Sequence, residues 1–495
     1  SQHSFLHRMN SLVETLREKT LLPALVFVFN RKKCEEYAHK VSHDLLDSSE
    51  TAAVKHIIDF HLHRYSYIQT SPQYHSLRSL LEKGIAFHHS GLLPILKEIV
   101  EILFGKGFIK LLFATETFAV GINMPTKTVV FTSYTKHDDS GHRMLRTDEY
   151  IQMAGRAGRR GKDTQGVVIY LPDREPSETN DVTYMMTGRQ QSVVSTMKFD
   201  FDFLIKTFYG HALEWKDVMR KTYWYTQHME GVNSMKQECE DLCSKRNAIL
   251  LSQSMLPDLE ERSRLEENKT KKGLKAIEKW KMEHDEKRWD LAYDSYKRRK
   301  VYDKQIEELE YRIEKESHIE DTLEPDVELL TREGYLGGDL GKLAANVHEG
   351  PSLLMPSVFM SKLFHSLSRE ELVASLAFFV EETTELSVPT SHSVPGLTEL
   401  VKSLADKGFQ QKIHTYWVDP TLRWMNGESS GSICMDYGIY EGNFVKAMLK
   451  VANLADEWIT MATLMCDLPQ LELMRDVRQQ IVRDVVVPDS LYLRI

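Results

Sequence analysis

Residues 24–29, ALVFVF, form a continuous apolar run between Pro23 and Asn30. A run this short and unbroken predicts a strand covered on both faces, because a half-exposed strand would alternate. Comparable runs fall at 84–88, 110–114, 128–133 and 166–171. Between them the spacing shifts to the helical period, at 30–40 and in the amphipathic stretch 94–104. Strands alternating with helices predict a parallel sheet, whose ligands gather at the carboxyl ends of the strands. Three stretches are expected to meet an anion there: HHSG at 88–91, TETF at 115–118 and the arginine-rich 152–161. Each follows a strand or borders a helix, where backbone N–H groups are left to face a ligand.

Beyond about residue 187 the pattern is helical. Two apolar-striped helices are predicted at 200–209 and 214–226. From 229 to 317 the chain is dense in Lys, Glu, Asp and Arg. Within it Val232, Met235, Cys239, Leu242, Arg246 and Ile249 step by three and four, a seam with one polar member. Tyr302, Ile306, Leu309 and Ile313 continue such a seam on a return leg, with Pro257 as the break. A return helix of about 40 residues, on the order of 60 Å long, gives an antiparallel helical arm. After it, 326–336 and 339–348 flank the turn Gly337–Gly338. Residues 351–382 hold two helices, one opened by Ser368 with Glu371 three places on, the pattern of a capping box. Near the end of the chain, 443–462 is a long helix on which Lys446 and Lys450, four apart, share a face.

At 495 residues the chain exceeds what one core can organise, so several domains are expected. The formal charge is −9. A nucleic-acid binder with that balance must gather its basic groups on one surface. Five cysteines are too few for a disulfide framework, and Cys239 and Cys243 have no second pair to complete a zinc site. Reduced thiols and an intracellular location, nucleus or cytoplasm, are therefore expected. No apolar run is long enough to span a membrane. The start at Ser1 without methionine reads as a processed or cut chain.

The sharpest chemistry lies in 152–161, QMAGRAGRRG, with three arginines and three glycines. A guanidinium is a fixed positive charge with a planar fork of donors suited to phosphate oxygens. Small residues between the arginines let backbone approach a ligand. Upstream, 113–125 reads FATETFAVGINMP. Together the two stretches resemble motifs V and VI of superfamily-two helicases, with wording closest to the superkiller-like DExH-box RNA helicases that assist the RNA exosome. The pattern Q-x-x-G-R-x-G-R falls on Gln152, Gly155, Arg156, Gly158 and Arg159.

The resemblance implies a multidomain fold: a second RecA-like α/β domain with a parallel sheet at 1–187; a winged helix in two parts, 188–228 and 318–350; an antiparallel helical coiled-coil arm inserted at 229–317; and an all-α C-terminal ratchet bundle at 351–495. It further implies that Arg159 and Arg156 serve as arginine fingers on the γ-phosphate of ATP, with Gln152 beside them. Gly121, Asn123 and Gly155 would approach the nucleotide. Ser90, His89, Thr115 and Thr117 would contact nucleic-acid phosphates, and Lys446 and Lys450 would line the channel from the ratchet helix. Residues 134–147 occupy the place where relatives carry a duplex-splitting hairpin; a plain surface loop suits them equally. Relatives often end the arm in a β-barrel, for which 251–275 leaves no room. Trp280, Trp289, Tyr293 and Tyr296 among lysines could stack on RNA, or simply fill the seam.

One half of an ATPase site is missing from these expectations. Gly–Lys pairs occur at 105–106, 161–162 and 341–342, none followed by Ser or Thr, so no P-loop is legible. Neither Asp148–Glu149 nor Asp285–Glu286 continues as a DExH box. The expected cofactors are ATP and Mg2+, the metal held mainly by an absent first RecA-like domain. The expected activity is that of an ATP-dependent 3′-5′ RNA helicase, with this chain alone inactive. Its expected partners are single-stranded or 3′-tailed RNA, the missing domain and an RNA-degradation complex. A DNA helicase and a silent binding scaffold are the alternatives.

Overall fold

A computed structural model describes residues 2–115, 125–138, 141–174, 179–188, 198–210, 214–284, 286–381 and 390–494. Thr117, Gly121 and Asn123 lie outside the described residues. The chain divides into two compact units, residues 1–193 with 346–495, and residues 194–345.

The first unit is built on a five-stranded sheet. Its strands are β1 (Ala24–Phe27), β2 (Ile85–His88), β3 (Leu111–Ala114), β4 (Thr128–Phe131) and, after a two-stranded excursion by β5 (Thr135–Asp138) and β6 (Gly141–Met144), β7 (Val167–Tyr170). The order is β2-β3-β1-β4-β7 and every neighbouring pair is parallel. All four residues of β1, β2, β3 and β4 are buried, which is why these strands read as unbroken apolar runs. Four residues at about 3.3 Å each make the sheet about 13 Å deep from its amino to its carboxyl edge.

Helices cover this sheet where local signals start them. Asn30 accepts the Lys33 N–H at 2.9 Å and opens Arg31–His39. Asp47 and Glu50 form a reciprocal capping box that opens Ser48–Leu62, whose Val54, Ile58 and Leu62 are buried. In the same unit the regular elements after residue 346 are all helices among the described residues. The longest helix, Glu441–Leu464, buries Trp458, whose indole N–H donates to Gln470 Oε1 at 2.9 Å. Trp424, Phe444 and Phe364 complete the core there.

The regular elements among the described residues of the second unit are all helices. The helix expected at 214–226 is two. Trp215–Arg220 ends, and Thr222 caps the next by accepting the Tyr225 N–H at 3.1 Å. The second helix, Tyr223–Asn247, packs antiparallel to Glu286–Ser317. His228 pairs with the Glu316 carbonyl at 2.8 Å and, further along, Arg246 with Asp303 at 3.2 Å. Val232, Ile306 and Leu309 are buried in the seam between them. The return helix has 32 residues, not 40, because 271–283 forms a helix of its own, Lys271–Glu283. Pro257 sits in the first turn of Leu256–Glu267, a position that needs no backbone donor.

These two short helices close over the aromatic residues. Trp280, Tyr293 and Tyr296 are buried, with Arg262 lying 4.1 Å over the Tyr293 ring and paired to Asp290 at 2.9 Å. Stacking on RNA by these three rings is thereby corrected: their faces pack on protein. Among the described residues no helix is long and apolar enough to cross a membrane.

Candidate functional site

Two positively charged clusters lie on the first unit, at opposite edges of the sheet. The first forms where β2 ends. His88 is buried and its Nε2 meets Glu101 Oε1 at 3.0 Å, and burial holds its pKa below the ordinary histidine range. His89 is completely buried. Its Nδ1 accepts the Gly91 N–H at 2.9 Å, so its Nε2 carries the proton that is donated to Glu35 at 2.8 Å. A direct phosphate contact by His89 is therefore corrected: both ring nitrogens are engaged inside the fold, and the residue shapes the loop instead. Thr115, after β3, is also buried, its N–H donating to the His88 carbonyl at 3.3 Å.

Ser90 is the half-buried residue of this loop, and cations surround it. Arg31 Nη1 lies 3.4 Å from its hydroxyl, and Lys446 Nζ donates to its carbonyl at 3.3 Å. Arg31 also lies 4.8 Å over the Tyr440 ring. Burial, then the charges of Lys97 and Arg31, hold the Lys446 ammonium below the usual lysine range. An anion bound beside Lys446 would relieve the repulsion it receives from Lys97 and Arg31. Lys450 is half-buried one turn further along the same helix. Arg31 was not foreseen in the sequence, where it stands as one of three consecutive basic residues behind Asn30.

Close backbone contact brings Lys446 to this loop. The Gly442 N–H donates to the Gly91 carbonyl at 3.0 Å, and a Cβ on Gly442 would collide with the Leu92 carbonyl. Glu441, buried beside it, accepts from Ser71 Oγ at 2.9 Å. Tyr440 stands edge-on to His89 at 5.3 Å.

The second cluster is the arginine loop. Residues 135–138 and 141–144 pair as antiparallel strands, where a plain loop was equally expected, with Thr135 opposite Met144 and Asp138 opposite Gly141. The helix Thr147–Ala154 then carries the chain back down the sheet, with Tyr150 and Met153 buried and the Tyr150 ring 5.2 Å from Phe131. It delivers Arg156 to the amino edge. The Thr126 N–H donates to the Arg156 carbonyl at 2.8 Å and the Gly158 N–H to the Thr126 carbonyl at 2.7 Å, just ahead of β4. The expectation that this loop sits at the carboxyl ends of the strands is thus corrected, because an eight-residue helix, about 12 Å long, crosses the whole sheet. Gly158 adopts φ +88° and abuts Gly166, so only glycine fits there.

Arg159 is fixed by one side of its fork. Its Nε and Nη2 donate to the two carboxylate oxygens of Asp163 at 2.8 and 3.1 Å, and its own N–H adds a third bond at 2.9 Å. These bonds pull Asp163 down to about 2. The side chain remains 28% exposed, and Nη1 has no partner among the described residues. Gln152, Gly155 and Arg160 are exposed, while Arg156 is half-buried. Among the described residues there is no group of three or more His, Cys, Asp or Glu side chains that could hold a metal.

The chain matches two family models: the Helicase conserved C-terminal domain over residues 52–161, and the DSHCT (NUC185) domain over residues 338–488. It is 40% identical over 241 residues to human Superkiller complex protein 2, covering 48% of this chain and 19% of that protein. Antiviral helicase SKI2 of Saccharomyces cerevisiae is 42% identical over 214 residues, 43% of this chain and 17% of the relative. Over these stretches the chain is similar to superkiller-type DExH helicases. It is also 34% identical over 242 residues to mouse Exosome RNA helicase MTR4, 48% of this chain and 23% of the relative. The matched stretch thus spans about a fifth of these superkiller-type helicases. In this chain the first model ends at Gly161, the last residue of the arginine loop.

Proposed function

We propose that this chain forms the C-terminal part of an ATP-dependent 3′-5′ RNA helicase and supplies the arginine fingers and one wall of an RNA channel. The observation that carries the reading is Arg159, oriented by Asp163 yet open along Nη1. A side chain held this way presents donors with little reorganisation at the moment of reaction, which is what charge stabilisation in phosphoryl transfer requires. Arg156 and Gln152 stand beside it, and Gly155 lets the backbone approach the nucleotide. Gly121 and Asn123 would complete this side, as motif V does in the family. ATP supplies the phosphoryl group, and Mg2+ would be held by acids of a first RecA-like domain outside this chain.

RNA would run past the other edge. Ser90, Arg31, Lys446 and Lys450 supply phosphate contacts there, with Thr115 beneath; Thr117 would join them as the family's motif V implies. Contacts to the backbone alone make binding salt-sensitive and indifferent to sequence. Nucleotide and RNA would then lie at opposite edges of one sheet. The domain scheme follows: a RecA-like domain at 1–187, a winged helix at 188–228 and 318–350 interrupted by the arm at 229–317, and a ratchet bundle at 351–495. Work on RNA bound for degradation, within a larger complex, fits these relatives.

The test is complementation. This chain alone is expected to turn over little ATP, and together with the first RecA-like domain to open a 3′-tailed RNA duplex. Robust turnover by the chain alone, or a complete enzyme that opens no RNA duplex, contradicts the reading. A duplex of DNA opened equally well would favour the DNA alternative, since a 2′-hydroxyl preference separates the two. Lys446→Ala should weaken single-stranded RNA uniformly across sequences. The slope of log affinity against log salt should fall by about 0.7, the value for one lost phosphate contact on a single strand. An unchanged slope would remove Lys446 from the RNA path.

A further inference from the structure

The hairpin and the arginine loop sit at the two ends of one short helix, and a single carboxylate binds the hairpin to it. Lys136 on β5 and Arg143 on β6 are direct cross-strand partners. Two cations in that relation repel each other and would splay the hairpin. Glu149, in the first turn of Thr147–Ala154, resolves this. Arg143 Nη1 and Nη2 donate to its two oxygens at 2.7 and 3.1 Å, Lys136 Nζ reaches Oε2 at 2.5 Å, and the Arg146 N–H donates to Oε1 at 3.0 Å. The Glu149 side chain is only 13% exposed, Lys136 14% and Arg143 23%. Removed from water, each of these charges depends on the others. The bonds from Arg143 and Lys136 more than offset burial and bring Glu149 to about 2, so the clamp stays charged throughout the physiological range.

The helix is a strut and not a flexible link. Thr147, Tyr150 and Met153 are buried along its length, and it ends in the loop whose Arg156 and Gly158 pair with Thr126. Motion of the arginine loop on nucleotide closure must therefore move the other end of the strut, and with it whatever is clamped there. The family resemblance implies a duplex-splitting hairpin at this place, and the structure shows that these strands do not hang free.

We propose that Glu149 is a positioning residue that makes the hairpin move with the arginine loop, so that it couples ATP turnover to strand separation without touching either ligand. The inference rests on the helicase reading above. It adds that unwinding and hydrolysis can be separated at this one carboxylate.

The test uses the complete enzyme, with the first RecA-like domain present, and two variants. Glu149→Gln keeps the shape and removes the charge. Lys136→Met with Arg143→Met leaves Glu149 and its bond to the Arg146 N–H in place, and so guards against a variant that damages the helix itself. ATP turnover stimulated by single-stranded RNA should stay within about threefold of the parent, while duplexes opened per ATP consumed fall about tenfold or more, a loss confined to the coupled step. Arg143→Lys, which keeps a cation beside Glu149 but loses the bidentate fork, should hold that ratio above that of the double variant. The proposal is overturned if the double variant opens as many duplexes per ATP as the parent, or if hydrolysis and unwinding fall together. A parent enzyme that hydrolyses ATP but opens no RNA duplex would instead overturn the helicase reading, which the parent measurement alone decides.

Discussion

Arg159→Ala in the complete enzyme is expected to lower RNA-stimulated ATP turnover about a thousandfold or more, with affinity for single-stranded RNA unchanged. The size follows from what the side chain is asked to do. Charge accumulates on the phosphoryl oxygens during transfer, and a guanidinium already aimed at them stabilises it without first shedding water. Asp163 performs the aiming. It takes Nε and Nη2, and leaves Nη1 without a partner among the described residues. Lysine at position 159 should rescue little, because an ammonium on a flexible stem cannot bond Asp163 bidentately and present a second edge as well. RNA binding should survive because Ser90, Arg31 and Lys446 lie at the far edge of the sheet. A variant that lost RNA affinity and turnover in parallel would mean that the loop is merely structural.

Gly442→Ala is expected to have the second largest effect, and on the other edge. The Gly442 N–H bonds to the Gly91 carbonyl, and a methyl group there would run into the carbonyls of Leu92 and Gly91, which are backbone and cannot turn aside. Relief requires the start of Glu441–Leu464 to lift away from the loop after β2. Such overpacking costs about 1–3 kcal/mol of stability. It also withdraws Lys446 from Ser90, and single-stranded RNA affinity should fall about tenfold, the equivalent of about 1.4 kcal/mol. Thermal unfolding and RNA titration read the two effects separately. A variant with parental stability and affinity would show that the contact between helix and loop is dispensable.

The sheet was legible in the sequence because its strands are covered on both faces and are therefore uniformly apolar. Helix 48–62 was passed over although its start is written in Asp47 and Glu50, since a cap without a strong apolar stripe is easily read as a loop. The arginine motif was legible as chemistry and not as position. Its place at the amino edge depends on Thr126 pairing with the Arg156 carbonyl and Gly158, a backbone contact over some thirty residues to which no side chain contributes a pattern. His89 shows the same limit. A histidine after a strand looks the same in sequence whether it faces a ligand or, as here, bonds Gly91 and Glu35 inside the fold. Arg31 was hidden for the opposite reason: its neighbours Lys32 and Lys33 made it look like ordinary surface charge, and only the fold brings Ser90 and Tyr440 to it.

The account stands or falls on the arginine loop completing a nucleotide pocket, and one titration reaches that point most directly. ADP with aluminium fluoride imitates the phosphoryl group in transfer, and transition-state analogues bind at least about a hundredfold tighter than ground-state ligands where the stabilising groups are in place. The complete enzyme on RNA should hold the analogue about a hundredfold more tightly than ADP alone, and Arg159→Ala should abolish that difference while binding ADP normally. An Arg159→Ala enzyme that still prefers the analogue by the parental factor would contradict the account.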